Sequence, residues 1–449
     1  MAITADRALS SFERDVLLTT GRAVRVRPAG SSDVGRLRDF YGQLSDASNY
    51  SRFFGIRRFI PEQELHRATV QNVRAHVTLI AQAGDDLIGV GEYHAMPNGD
   101  EAEVAFAVSD VHQHEGIATV LLEDLAMIAR SAGFSRLVAS TMPENTAMRR
   151  VFRTVGLLTR DWFSDGLVHV QLDLTTAHLM EDDADLREWR STVQSLQPIV
   201  QPSHVVVIGA GRDELGPGRR ILAHLRESFA GRISVVHPSG AEIGGIQSVS
   251  RISDLGTVPD LAVIAVPATA VVDVVKECGQ TGIAAAVVIS SGFAEQDDDG
   301  RRRQEELLAV ARSHGMRIVG PNCLGIVSTR CGLNATFTAQ RFLPGGIAVA
   351  AQSGGVGITI AAEAEQRRAG ISAFVSMGNK VDVSSNDLLR LWADDDDTNV
   401  ALLYLESFGD PVRFARVARA VSRRMPIVAL KAGRTAPGRR AAGSHTAAL

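Results

Sequence analysis

Aromatic residues make up only 5% of this 449-residue sequence, and cysteine occurs three times. So few Phe, Trp and Tyr side chains give no platform for stacked bases, and a formal net charge of −4 gives no basic field, which excludes nucleic acid as a partner. Cys278, Cys323 and Cys331 are odd in number and form no Cys-x-x-Cys pair. They read as reduced thiols, with Cys278 a small core hydrophobe, so neither a disulfide frame nor a metal site is expected. Long apolar runs are missing too. The longest, such as Leu261 to Val272, contains Pro267 and is too short to cross a bilayer, and the N-terminal stretch lacks the basic-then-apolar order of a secretory signal. No membrane partner is expected, and the cytoplasm is the expected compartment. What remains is an ordinary globular composition, 45% hydrophobic and 22% charged. At about 150 residues per domain this length makes roughly three domains, each able to bury a core.

The stretch Ala102 to Leu122 holds the densest chemistry. Its first part alternates, with Glu103, Ala105 and Ala107 on one face and Val104, Phe106 and Val108 on the other, as a strand does. Gln113-His114-Glu115-Gly116-Ile117-Ala118 follows, and then Val120, Leu121, Leu125, Ile128 and Ala129 at helical spacing. Small residues at Gly116 and Ala118 let backbone N–H groups approach a phosphate closely, and the unpaired amides and dipole of a helix start favour its charge.

This stretch resembles the GNAT superfamily of acyl-CoA N-acyltransferases, whose signature Gln/Arg-x-x-Gly-x-Gly/Ala opens a helix and is matched by Gln113, Gly116 and Ala118. A second element is similar as well: Asn145 to Leu157, with Met148, Phe152 and Gly156, looks like the helix flanking the pantetheine arm. The resemblance spans residues 20–175. It implies acetyl-CoA as the acyl donor, held by Val108, Gln113, His114, Glu115, Gly116, Ile117, Ala118 and Asn145. An acceptor lysine, with a pKa of about 10.4, arrives as an ammonium and must lose a proton before attacking a thioester. Glu103 is the expected catalytic carboxylate, acting through water, with Glu101 and Glu92 as alternatives. A solvated glutamate on a sheet face is the plainer reading of Glu103.

Upstream, Ala23 to Pro28 alternates like a strand, and Val34, Leu37, Phe40, Tyr41 and Leu44 recur at helical spacing. Residues 45–59 interleave aromatic and arginine side chains without period. They are similar in wording to bacterial protein acetyltransferases fused to synthetase-like domains, although Phe53 and Phe54 as loop anchors are the plainer reading. Strands are expected at His76 to Ala83, Leu87 to His94 and Leu137 to Ser140. Residues 176–203, with Glu181, Asp182, Asp183 and Asp185 followed by Pro198 and Pro202, read as a linker.

A second pattern starts at His204. The strand Val205 to Ile208 runs into Gly209-Ala210-Gly211, and apolar strands recur at Ile233, Leu261, Ala285 and Met316 with helices between, the order of a parallel doubly wound sheet. Dinucleotide binding does not fit: Glu214 replaces the third glycine of the fingerprint, and His237, not an acid, ends the second strand. Val266-Pro267-Ala268, Ser290-Ser291-Gly292-Phe293 and Gly320-Pro321-Asn322 instead resemble the CoA-binding domain of NDP-forming acyl-CoA synthetases, relatives of succinyl-CoA synthetase. That resemblance places a second CoA or acyl-CoA at Gly209, Gly211, Pro267, Ser291, Gly292, Pro321 and Asn322; tight turns are the plainer alternative.

From residue 346 to 449 a third α/β unit resembles the second domain of the same synthetases. Gln352 to Gly357 is a phosphate nest at a helix start. In the family, the histidine of Ser-His-Thr-Gly-Ala-Leu accepts a phosphoryl group and a glutamate stabilises it. Here those positions are His445 and Glu406, with Ala447 in place of the glycine. No ATP-grasp module lies within these residues, so ATP-dependent ligation would need a further segment or subunit.

The expected architecture is therefore α/β throughout: a GNAT mixed sheet (20–175), a linker (176–203), a Rossmann-like CoA-binding domain (204–335) and a flavodoxin-like succinyl-CoA synthetase-type domain (346–449). The expected function is protein lysine N-acetylation from acetyl-CoA. AMP-forming acyl-CoA synthetases are the protein substrates implied by the resemblance, with the synthetase-like region sensing acyl-CoA. The alternatives are an NDP-forming synthetase with an appended acetyltransferase, and a non-catalytic acyl-CoA sensor. A homo-oligomer is compatible with all three.

Overall fold

The computed structural model describes Leu9 and residues 12–432 apart from positions 19, 56, 58, 98, 212 and 410, with 177–184 and 412 described by backbone only. The chain divides into two compact units, Met1–Ser191 and Thr192–Leu449. His445 lies outside the described residues.

The first unit is built on a mixed eight-stranded sheet. Strands β1 (Arg14–Leu17), β2 (Ala23–Pro28), β3 (His76–Ala83), β4 (Asp86–Ala95) and β5 (Glu101–Val108) run antiparallel in that order. β6 (Arg136–Thr141) joins parallel to β5, and β8 (Leu167–Asp173) and β7 (Leu158–Ser164) complete the sheet antiparallel. The alternation in β5 sends Ala102 and Val104 into a core with Leu121, Leu122 and Leu125 of the helix Ile117–Ala132, and Ala107 into a second core with Leu37, Phe40, Ile80 and Val90. Gly91 in β4 lets that helix lie close: a Cβ there would stand 3.1 Å from Leu121 Cβ and 3.0 Å from the Phe106 ring.

Two expectations are refined. Residues 45–59 are not without regular structure: Asp46–Phe53 is a helix, because Ser45 Oγ accepts from Ser48 N–H at its start and Phe54 ends it at a φ of +54°. The acidic and proline-containing stretch read as a linker is one helix, Ala177–Val200.

In the second unit, β9 (His204–Ile208), β10 (Arg232–Val236), β13 (Leu261–Ile264), β14 (Ala285–Val288) and β15 (Arg317–Val319) form a parallel sheet in the order β10-β9-β13-β14-β15. A small ribbon pairs β11 (Glu242–Ile243) with β12 (Ile246–Gln247). A six-stranded sheet follows in the order β17-β16-β19-β18-β20-β21. It comprises β16 (Gly325–Ser328), β17 (Leu333–Thr336), β18 (Pro344–Ala351), β19 (Ile371–Ser376), β20 (Val400–Leu405) and β21 (Ile427–Lys431). β16 pairs antiparallel with β17 and β19, and the other pairings are parallel. The strands β9, β13, β14 and β15, apolar but for His204 and Arg317, are buried end to end, as strands covered on both faces must be. Among the described residues no helix is long and apolar enough to cross a membrane.

Candidate functional site

A notch opens in the first sheet where β5 and β6 part. Their pairing covers only Glu101↔Arg136, Ala102↔Leu137 and Glu103↔Val138. Beyond it the strands diverge, and a cleft of about 350 Å³ fills the gap, lined by Val104 to Val108, Ser140, Thr141, Asn145, Met148 and the start of the helix Ile117–Ala132. Such a V-shaped opening accepts a slender chain between two strands, with backbone groups on either wall.

At one end of the notch lies the helix start. Gly116 caps it at a φ of +95°, a conformation open to glycine, and among the described residues no side chain bonds the first-turn amides. Val108, Gln113, His114, Gly116, Ile117, Ala118 and Asn145, all expected at the cofactor, line the cleft together. Glu115 does not line it. Its carboxylate turns to Arg22 at 3.5 Å and His112 at 3.3 Å, which keeps a negative charge paired and away from the anion-binding amides.

The rim of the cleft was not legible in the sequence. Asp110 accepts from the Ser45 N–H at 2.8 Å, the Ser45 hydroxyl at 2.7 Å and the Ser48 hydroxyl at 2.6 Å, and Gln113 Nε2 donates to Ser48 Oγ at 2.9 Å. Partial burial opposes ionisation of Asp110, but the Ser48 and Ser45 bonds outweigh it and hold its pKa below the usual range. These groups tie the helix Asp46–Phe53 to the loop, across 65 positions of sequence for Ser45–Asp110. Arg52, from the same helix, lines the cleft and bonds Glu92.

The three candidate carboxylates have different surroundings. Glu92 is largely shielded, its side chain 14% exposed, and pairs with Arg52. Burial pushes its pKa up, yet His94, the Arg52 charge and His76 more than compensate and hold it at about 2, too low for an effective base at neutral pH. Glu101 forms an ion pair with Arg136 at 2.9 Å and accepts a hydrogen bond from Gln171 Nε2 at 3.2 Å. Glu103 is exposed and outside the cleft lining, and among the described residues it has no ion-pair or hydrogen-bond partner. It shares its face with Ala105, which does line the cleft, so it stands one pleat repeat, about 6.6 Å, away.

The second unit has its own cleft, about 720 Å³, at the carboxyl ends of β13, β14 and β15 and facing the helix Gly354–Arg367. Pro267, Ser291 and Asn322 line it, together with Val266, Ser290, Cys323, Ser353 and Gly354. Gly209, Gly211, Gly292 and Pro321 do not line it. Gly209 serves packing: at a φ of +93°, a Cβ would meet the Ala265 carbonyl at 2.5 Å. Gly292 N–H donates to Glu295 Oε1 at 2.6 Å, shaping the turn after β14.

Buried Glu406 is gathered with groups whose motifs the sequence displays but whose proximity it does not. Gln352 Oε1 accepts from the N–H groups of Glu406 and, at 2.9 Å, Ser407. Lys380 Nζ donates to Ser407 O at 3.0 Å and Oγ at 2.9 Å, and Lys431 Nζ donates to the Glu406 carbonyl at 2.7 Å. Burial and then the nearby Lys431 charge push the Lys380 amine down to about 8, with Glu406 opposing them.

Three family models match successive segments: the acetyltransferase (GNAT) family over 47–157, a CoA binding domain over 203–329, and the succinyl-CoA ligase like flavodoxin domain over 344–449. An acetyltransferase of Pseudomonas aeruginosa is 30% identical over 145 residues, 31% of this chain and 78% of that protein. The ADP-forming acetate–CoA ligase of Methanocaldococcus jannaschii is 41% identical over 255 residues, 57% of this chain and 36% of that protein. Among solved structures, a dinucleotide-forming acetyl-coenzyme A synthetase of Ca. Korarchaeum cryptofilum, in complex with phosphate and ADP, is 39% identical at a TM-score of 0.54 and covers 57% of this chain and 55% of that one. The chain thus spans from about a third to about a half of these ligase relatives' length.

Proposed function

We propose, for a chain whose N-terminal domain belongs to the acetyltransferase (GNAT) family and whose other two domains are homologous to ADP-forming acyl-CoA synthetases, that acyl-CoA is used at both sites. The second unit is read as the CoA-binding and phosphoryl-accepting part of such a synthetase. The first is read as an appended amine acyltransferase. The gathering of Glu406, Gln352, Lys380 and Lys431 in the unit that also holds the strand-end cleft carries this reading.

In the synthetase reading, phosphate attacks the thioester carbonyl, the C–S bond breaks, and an acyl phosphate and free CoA result. His445 then takes the phosphoryl group and releases the carboxylate. Two ammonium groups near Glu406 offset charge that accumulates on phosphate oxygens. The test is to supply the full chain with acetyl-CoA and radiolabelled phosphate. Acid-labile label on the protein, absent in His445→Ala, is expected; an unlabelled wild-type chain that still binds CoA would sink the synthetase reading.

At the first site, the helix start at Gly116 holds the pyrophosphate and the notch between β5 and β6 holds the pantetheine arm. Glu103, through water, accepts a proton from the acceptor ammonium. The amine then attacks the thioester directly and the thiolate departs with a proton. Its substrate is read as a lysine on a folded protein, such as an AMP-forming acyl-CoA synthetase, with the synthetase-like unit sensing acyl-CoA. The observation favouring a protein acceptor is the exposure of Tyr50, Phe54 and Phe59 in and after the helix that supplies Arg52 to the cleft. Apolar side chains left in water suit a macromolecular surface better than a small amine. Acetylation of such a synthetase, followed by peptide mass spectrometry, tests it; transfer to free amines alone would refute it.

A further inference from the structure

His76 on β3 and His94 on β4 are direct cross-strand partners, and Glu92 lies two residues from His94 on the same face. The two imidazoles stack with centroids 4.6 Å apart. One ligand atom from each of the three side chains lies within 4.8 Å of the others, and His94 Nε2 is 3.7 Å from Glu92 Oε2. We propose that His76, Glu92 and His94 form a site for a divalent transition metal of the zinc class.

Four features support it. His76 Nδ1 is 3.1 Å from the Val70 carbonyl, which only accepts, so Nδ1 carries the proton and Nε2 keeps the lone pair a metal needs. Thr78 Oγ1, 3.0 Å from that Nε2, has a second acceptor in Glu92 Oε2 at 3.5 Å, to which its hydroxyl hydrogen can turn and free the Nε2 lone pair. Arg52 holds the other oxygen of Glu92, Oε1, and so orients the carboxylate with Oε2 toward the histidines. His94 is 55% exposed, which leaves room for a water at a fourth position and freedom for its ring to swing inward. Two histidines and a carboxylate are a borderline-soft donor set suited to zinc, whose tetrahedral ligand atoms sit roughly 3.3 Å apart. Closing from 4.8 Å needs only side-chain rotation.

The position gives the site a consequence. His94 faces Glu103 across the β4–β5 pairing, so a bound dication would stand beside the carboxylate read as the proton acceptor and lower its basicity. That consequence rests on the acyl-transfer reading; metal binding does not.

The full chain, stripped with chelator, is titrated with Co²⁺ by equilibrium dialysis and visible absorption. Wild type should bind one more Co²⁺ per chain than His94→Ala or His76→Ala, with a ligand-field band that the variants lack and that Zn²⁺ abolishes. Circular dichroism confirms that the variants are folded. Equal stoichiometry and spectra in all three proteins would overturn the site. Zn²⁺ in the same concentration range should inhibit wild-type transfer at least tenfold more strongly than His94→Ala; binding without inhibition would leave the metal site standing and remove Glu103 as the proton acceptor.

Discussion

Replacing Glu92 by glutamine removes the largely shielded carboxylate that the cleft's Arg52 holds. In the folded protein burial raises the Glu92 pKa, but the His94 bond and then the Arg52, His94 and His76 charges bring it from an ordinary 4.5 down to about 2, and its side chain is 14% exposed, so solvent screens these partners little. That depression corresponds to about 3 kcal/mol of stability. Because the folded pKa is the lower one, the contribution is complete above the unfolded value of 4.5 and disappears as pH falls through 2. Glutamine does not titrate and leaves Arg52 half-buried without its counter-charge. Urea denaturation of wild type and Glu92→Gln should therefore differ by about 3 kcal/mol at pH 7, and by progressively less from pH 5 downward. A difference that stays constant between pH 7 and pH 3 would refute the assignment of the network to Glu92 ionisation.

Other outcomes follow from the same geometry. Glu103→Gln should leave acetyl-CoA affinity unchanged and lower kcat by about 10²-fold or more; unchanged turnover removes Glu103 as the proton acceptor. Gly89→Ala should destabilise the first unit by roughly 1–3 kcal/mol, since its Cβ would stand 2.6 Å from Ile117 Cγ2. It should also raise KM for acetyl-CoA, because Ile117 begins the helix that bears the anion site; isothermal titration and thermal melts check both effects. Phosphate labelling of the second unit should weaken as pH rises through about 8, where Lys380 loses its charge, and a Lys380→Met variant should flatten that profile. Asp382→Asn should cost about 3 kcal/mol in chemical denaturation, because buried Arg317, whose Nε donates to Asp382 at 2.8 Å, would keep only Asp387 at 3.8 Å as a charged partner.

Much of the architecture could be read from periodicity. The expected strands at His76 to Ala83 and Leu87 to His94 agree with the observed β3 and β4 to within a residue; β3 is buried on both faces, with Val77, Leu79 and Ala81 in one core and Ile80 in the other, so a short continuous apolar run marks it. The cofactor-loop residues also converge, since a glycine-started helix after a strand has few ways to fold. The helix Asp46–Phe53 was harder: it is only eight residues long, and its start depends on the Ser45 cap and on Asp110, far away in sequence. Gly209 shows the converse, a glycine of motif type whose role is a 2.5 Å approach to the Ala265 carbonyl.

The sequence by itself determined the α/β class, the order of the three domains, and the chemistry each motif can support, because local alternation, helix starts and glycine positions are properties of neighbouring residues. Only the tertiary structure decided which charged groups meet. It set Glu92 between Arg52 and two histidines, left Glu103 exposed one pleat repeat from the cleft, and brought Lys380 and Lys431 to Glu406. Electrostatic environment depends on distance and burial in space, and residues far apart in the chain become partners only when the sheets set their register.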